Sequence, residues 1–135
     1  MLKGAIAILI ADTAIQTAVG TNGSSTAYKV YPLIAPQDER RPYVLLRRTF
    51  NPALDCKDAP SELDKPGFDV VVYTETYEEA FNISVLIRTA LDGYRGTING
   101  VTFKALWFSN AEDLFSQEDR TVVMRNSYRA LTVNA

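Results

Sequence analysis

Two hydrophobic periods alternate along the chain, and the switches between them mark out its elements. Residues 68–73, Phe-Asp-Val-Val-Val-Tyr, form a run rich in β-branched and aromatic side chains opened by Pro66-Gly67, the pattern of a strand buried on at least one face. Thr76 follows, with Glu79 three residues later. That pair is a capping box, in which the hydroxyl accepts from the third helical N–H and the carboxylate reaches back to Thr76. Spacings of three and four then link Tyr77, Ala80, Phe81, Ser84, Ile87, Arg88 and Leu91, while Ile83, Leu86 and Ala90 widen the apolar face. Gly93 ends the run, as suits a residue that takes the left-handed conformation without a Cβ penalty. The pattern predicts a strand feeding a helix of about four turns that packs back onto a sheet.

The flanking segments read less sharply. Residues 2–19 keep helical spacing through Leu2, Ile6, Leu9, Ile10, Ile15 and Val19 and end at Gly20, which predicts one amphipathic helix followed by a flexible loop over 21–25. Residues 27–35 predict a strand whose Pro32 points to an edge or a bulge, because proline cannot donate to a ladder. After a charged turn over 36–41, residues 43–50 predict a strand with Val44, Leu46, Arg48 and Phe50 on one face and Tyr43, Leu45, Arg47 and Thr49 on the other. Residues 51–66 are rich in proline and charge and predict a long loop projecting from an antiparallel pair formed by the strands on either side. Asn99-Gly100 is a tight hairpin signal. Residues 101–108 then alternate Val101, Phe103, Ala105 and Trp107 against Thr102, Lys104, Leu106 and Phe108; an acidic loop over 110–119 and a final strand over 120–133, bulged near its middle, complete the expectation. The fold class expected is α+β, a single domain over residues 1–135 with a mainly antiparallel sheet and two main helices packed on one face.

Composition narrows the function classes. With 135 residues, 47% apolar and 22% charged, the chain is an ordinary globular domain that needs no staple, and a formal charge of −2 predicts neither a nucleic-acid nor a membrane partner. Lys3 followed by residues 4–11 superficially resembles a secretory signal, but Asp12 interrupts it and the helical spacing continues past any cleavage site. No apolar run reaches the roughly 18 residues a membrane span requires.

The chemistry is sparse. There is no histidine, which removes the commonest general base, the Ser-His-Asp and Cys-His arrangements and the usual nitrogen ligands of metals. Cys56 is the single cysteine and lies between Asp55 and Asp58, where carboxylates oppose the thiolate a nucleophile needs. The carboxylate pairs Glu78-Glu79, Glu112-Asp113 and Glu118-Asp119 are adjacent in sequence and diverge, so solvated acidic surface explains them better than acid–base catalysis or a cation site. Residues 20–25 lack the lysine and the position before a helix that a phosphate loop requires. Arg40, Arg41, Arg47 and Arg48 form the densest basic cluster, yet Arg47 and Arg48 point to opposite faces of a strand, which weakens a nucleic-acid groove; contacts with another subunit's carboxylates are at least as plausible, and an ordinary strand end with charges turned to solvent is the simplest reading. No catalytic residue, metal or cofactor is expected.

Taken together, three motifs resemble a known family. They are Tyr31-Pro32-Leu33-Ile34-Ala35-Pro36-Gln37 followed by Pro42-Tyr43-Val44-Leu45, the strand and helix start from Phe68 through Thr76-Tyr77-Glu78-Glu79-Ala80, and Ile87-Arg88-Thr89-Ala90-Leu91-Asp92-Gly93 followed by Gly96 and Gly100. In order and spacing they resemble the small tail-completion, or tail-terminator, proteins of long-tailed phages, prophages and gene transfer agents. The resemblance spans roughly residues 2–133; the segment around 51–66 and the final strand depart from it. It implies a structural virion protein and not an enzyme: a ring, a homohexamer by analogy, that caps the tail tube and joins it to the head connector at the head–tail junction, after assembly in the host cytoplasm. DNA would pass through the lumen without sequence-specific binding, and an acidic lumen would let it slide. No membrane partner is implied. Under this reading the segments 51–66 and 110–119 and the basic cluster supply the contacts with neighbouring subunits or the tube. The candidates are Arg40, Arg41, Arg47, Arg48, Asp55, Asp58, Glu62, Glu112, Asp113, Glu118 and Asp119. The competing readings are a head–tail connector or neck protein, a small nucleic-acid-binding adaptor built on the arginines, and a histidine-free hydrolase built on carboxylates.

Overall fold

The central element forms as its pattern dictates. β5 (Gly67–Thr74) leads into α3 (Tyr77–Leu91), and the Thr76 hydroxyl accepts from the Glu79 N–H at 3.2 Å while Glu78 and Glu79 sit in the first turn, where the helix dipole favours negative charge. At the other end Gly93 takes φ +83°. The computed structural model describes residues 2–20, 28–33, 41–50, 53–55, 60–116 and 120–133, and for 50, 53–55, 60–64 and 116 the backbone alone. The loop expected over 21–25 and all of the turn expected over 36–41 except Arg41 lie outside the described residues.

The single N-terminal helix expected over 2–19 is two helices, α1 (Leu2–Ala11) and α2 (Thr13–Val19), bent by 91° at Asp12. Asp12 adopts extended backbone angles, and its carboxylate accepts from the N–H groups of Ala14 and Ile15 at 2.9 and 3.3 Å. A residue suited to capping thus ends one helix and begins the next, and the bend lets Ala5, Ile8 and Leu9 on one side and Ile15 and Val19 on the other bury in the same core. Among the described residues no single helix is long and apolar enough to cross a membrane.

Between these helices come β1 (Val30–Pro32), β2 (Tyr43–Phe50), β3 (Ala53–Asp55) and β4 (Pro60–Asp64), and after α3 come β6 (Gly96–Ile98), β7 (Val101–Ser116) and β8 (Thr121–Val133). The described strands make one mostly antiparallel sheet in the order β1-β2-β5-β8-β4-β3, with β7 pairing β8 and β6 pairing β7. β1 carries Pro32 and lies at an edge, parallel to β2. The segment expected as a loop over 51–66 instead contains β3 and β4: β4 pairs β8 just beyond β5, so β2-β3 and β4-β5 are the two arms of one long hairpin. The acidic loop expected over 110–119 is likewise strand as far as Ser116, paired with β8 from Asn110 to Ser116. In the described parts of both segments the strands form by pairing with a facing arm or with β8, and composition alone does not report that a facing strand is there.

The helices cover one sheet face. Val44, Leu46, Phe68, Val70, Val72, Phe103, Leu106, Tyr128 and Ala130 point into the core beneath them. The alternation expected for residues 101–108 breaks because β7 carries an extra residue between Phe103 and Ala105 and another between Phe108 and Asn110, so Leu106 is buried and Trp107 faces out. The bulges belong to β7 and not, as expected, to β8. The hairpin turn at Asn99-Gly100 is as expected, with φ of +50° and +79°.

Candidate assembly interface

α3 buries Ala80, Ile83, Ser84, Ile87 and Leu91, which leaves Tyr77, Phe81 and Val85, successive turns of one stripe, exposed on its outer side. The periodic reading placed Tyr77 and Phe81 on the buried face; the helix is apolar around most of its girth, and packing selected the other arc. Their rings stack 6.5 Å apart. Opposite this stripe runs the outer half of β7, in which residues 109–115 are all exposed and Phe115 keeps 59% of its surface in solvent. The groove between them holds about 240 Å³, with Met124 and Asn126 on its floor and Ala111 and Asp113 on its far wall. Asn126 donates to the Ser84 hydroxyl at 3.1 Å, which satisfies the buried amide. Asp113 accepts from the Tyr77 hydroxyl at 3.4 Å across the outer end, and at the inner end the Arg88 guanidinium lies 4.1 Å above the Phe108 ring. Beneath that stack the Tyr128 hydroxyl is buried without a hydrogen-bond partner among the described residues. Burial pushes its ionisation well above the ordinary tyrosine range, Arg88 opposes the shift and Asp92 adds to it.

The described helices leave the other sheet face uncovered. The Asp69 carboxylate is buried there, accepting from Ser127 Oγ at 2.7 Å and from Arg47 Nη2 at 3.3 Å, and Glu112 pairs with Arg125 across β7 and β8. Leu45, Val71 and Val123 floor a shallow hollow of about 280 Å³ between Leu33 and Leu114. Leu33 is 63% exposed at φ +67°, and its N–H donates to the Leu46 carbonyl at 2.8 Å. A left-handed conformation costs a leucine about 1–2 kcal/mol. It persists here at the end of an edge strand with the side chain in solvent.

The family model described as tail completion protein gp17 matches residues 5–133. The chain belongs to that family. It is therefore a structural protein of a phage-type tail, as the three sequence motifs implied. Its fold is that of a chain in a solved structure titled "Virion of native gene transfer agent (GTA) particle", with a TM-score of 0.76 and 19% identity over 98% of this chain and 94% of that one. A search of curated proteins returns no match.

For this family member the candidate contacts fall into groups. Arg41 lies two residues before β2, donating to Thr121 Oγ1 at 2.5 Å and to the Arg120 carbonyl at 3.3 Å, with Glu75 3.6 Å away; it ties the approach to the strand to the β7–β8 hairpin. Arg47 and Arg48 do occupy opposite faces of β2, both exposed, and Arg47 is held by Asp69. Glu112 and Asp113 are brought together on β7 but face opposite sides, toward Arg125 and toward the groove. Asp55 and Glu62 lie on β3 and β4, described by backbone alone, at the far end of the other hairpin. Arg40, Asp58, Glu118 and Asp119 lie outside the described residues, as does Cys56. The charge-led reading named neither Leu33 nor the stripe Tyr77, Phe81 and Val85, all of which the structure leaves exposed. The stripe was visible as an i, i+4, i+8 set, but nothing local separates an exposed apolar arc from a buried one.

Proposed function

We propose that this protein is the ring-forming terminator of the tail: copies close head to tail into a ring, a hexamer by family analogy, that caps the tail tube, joins it to the head connector and lets DNA through its lumen. The role is structural, not enzymatic, and the site of action is the head–tail junction. One observation carries the proposal. The β2-β3/β4-β5 hairpin extends past the Gly67 end of β5, whereas the β7-β8 hairpin extends toward its Thr74 end, since Thr74 pairs Val122 and Ser116 pairs Thr121. A subunit with one hairpin running past one end of its sheet and another turning at the opposite end presents different elements to what lies above and below it. Its two sheet edges, β1-β2 and β7, also differ, and a heterologous contact between unlike surfaces closes into a ring when the rotation divides a full turn.

The test is molar mass in solution across a concentration series, by size-exclusion chromatography with light scattering, with and without purified tail-tube protein. A discrete ring, alone or on addition of tube, is the expected result. A monomer indifferent to tube would reject the terminator reading in favour of a head–tail connector.

A further inference from the structure

We propose that the contact between neighbouring subunits seats Leu33 of one copy in the groove between α3 and outer β7 of the next, with Arg48 of the first set against Asp113 of the second. The inference rests on the ring reading above and names its contact.

Position supports it first. Leu33 and Arg48 belong to the β1-β2 edge of the sheet and the groove to the β7 edge, so one copy offers both halves of the contact on opposite sides and the chain can continue from copy to copy. Shape supports it next. A leucine 63% exposed in left-handed backbone is a projecting apolar side chain, and the groove is a concave one of about 240 Å³ walled by Phe81 and Val85. An outlier of this kind at an exposed edge is more readily explained by a partner that covers it than by the stability of the lone subunit.

Charge selects a second copy in head-to-tail orientation. Arg47 is engaged by Asp69 and Glu112 by Arg125 within the subunit. Their chain neighbours differ: among the described residues Arg48 is exposed without an ion pair, and Asp113 has only the Tyr77 hydroxyl. Opposite charges therefore remain at opposite edges, and each edge turned on a copy of itself would oppose like charges. A two-fold dimer through either surface is disfavoured for that reason.

Cysteine cross-linking tests the geometry. In a Cys56→Ser background, Leu33→Cys and Phe81→Cys are introduced singly and together; both sites are at least half exposed, so the fold tolerates them. Under conditions where the unsubstituted chain forms its ring, oxidation is expected to give a ladder up to the ring number for the double variant. A mixture of the two single variants should give dimers alone, and either single variant no product. Independently, Asp113→Arg is expected to weaken assembly roughly tenfold or more, and Arg48→Glu in the same chain to restore it. If the unsubstituted chain forms a ring but the double variant does not cross-link and Asp113→Arg assembles normally, the contact is wrong and the ring reading stands. If Asp113→Arg leaves the ring intact and abolishes tube binding, the groove seats the tube and the contact is again wrong. A chain that never forms a ring removes both.

Discussion

At the scale of single residues, two positions show how narrowly the core is fitted. Gly4 lies where α1 meets β7, and a Cβ there would stand 2.8 Å from Phe103 Cε2 and 2.9 Å from Val101 Cβ. Gly4→Ala therefore overpacks the contact despite its better helix propensity, and an unfolding free energy lower by about 1–3 kcal/mol is expected from the denaturant midpoint. A gain in stability would mean that α1 shifts freely. Tyr128 presents the opposite case, a well-packed ring between Phe68 and Phe108 with an orphaned hydroxyl. Tyr128→Phe removes an unsatisfied polar atom and keeps the stacking, so a change between zero and about 1 kcal/mol in favour of the folded state is expected. Its ionisation is raised on folding, so its contribution is fully present below the unfolded tyrosine value of about 10 and is lost as pH rises beyond it. Alkaline unfolding curves of the two proteins should converge at neutral pH slopes and diverge above about pH 10, with Tyr128→Phe the flatter. Identical alkaline limbs would mean that the phenol ionises in the folded state as readily as in the unfolded one and so is reached by solvent.

At the scale of elements, α3 was legible to the residue because its signals are local: Thr76 caps the first turn and Gly93 ends the helix, and both act through backbone within a few positions. The break between α1 and α2 carried a local signal too, in Asp12, but the apolar spacing on either side of it masked the cap. Asp12→Ala removes the acceptor for the Ala14 and Ile15 N–H groups and is expected to cost about 1 kcal/mol, measured by chemical denaturation, while Asp12→Ser recovers most of it. Equal stability of all three would show that tertiary packing alone sets the bend. β7 was legible as a strand only as far as Phe108. Its outer half is rich in charge, and the ladder to β8 that makes it a strand forms past a bulge that flips its faces.

At the scale of the molecule, one sheet with a helix-covered face and two oppositely directed hairpins underlies both the stability of the subunit and the assembly proposed for it. The covered face holds the large buried side chains, and the surfaces left over are those proposed to meet other chains: the groove beside α3, the Leu33 edge and the hairpin arms. The sequence by itself determined what depends on near neighbours: the α+β class, the capped central helix, the Asn99-Gly100 turn and the family. The tertiary structure alone decided what depends on facing elements. Residues 53–55, 60–64 and 110–116 became strands because β8 and the opposite hairpin arms pair with them, and the arc of α3 left exposed was fixed by which side the sheet already filled. Apolar periodicity records that a residue can be buried; only the packed molecule has a finite interior, and what does not fit inside becomes surface for a partner.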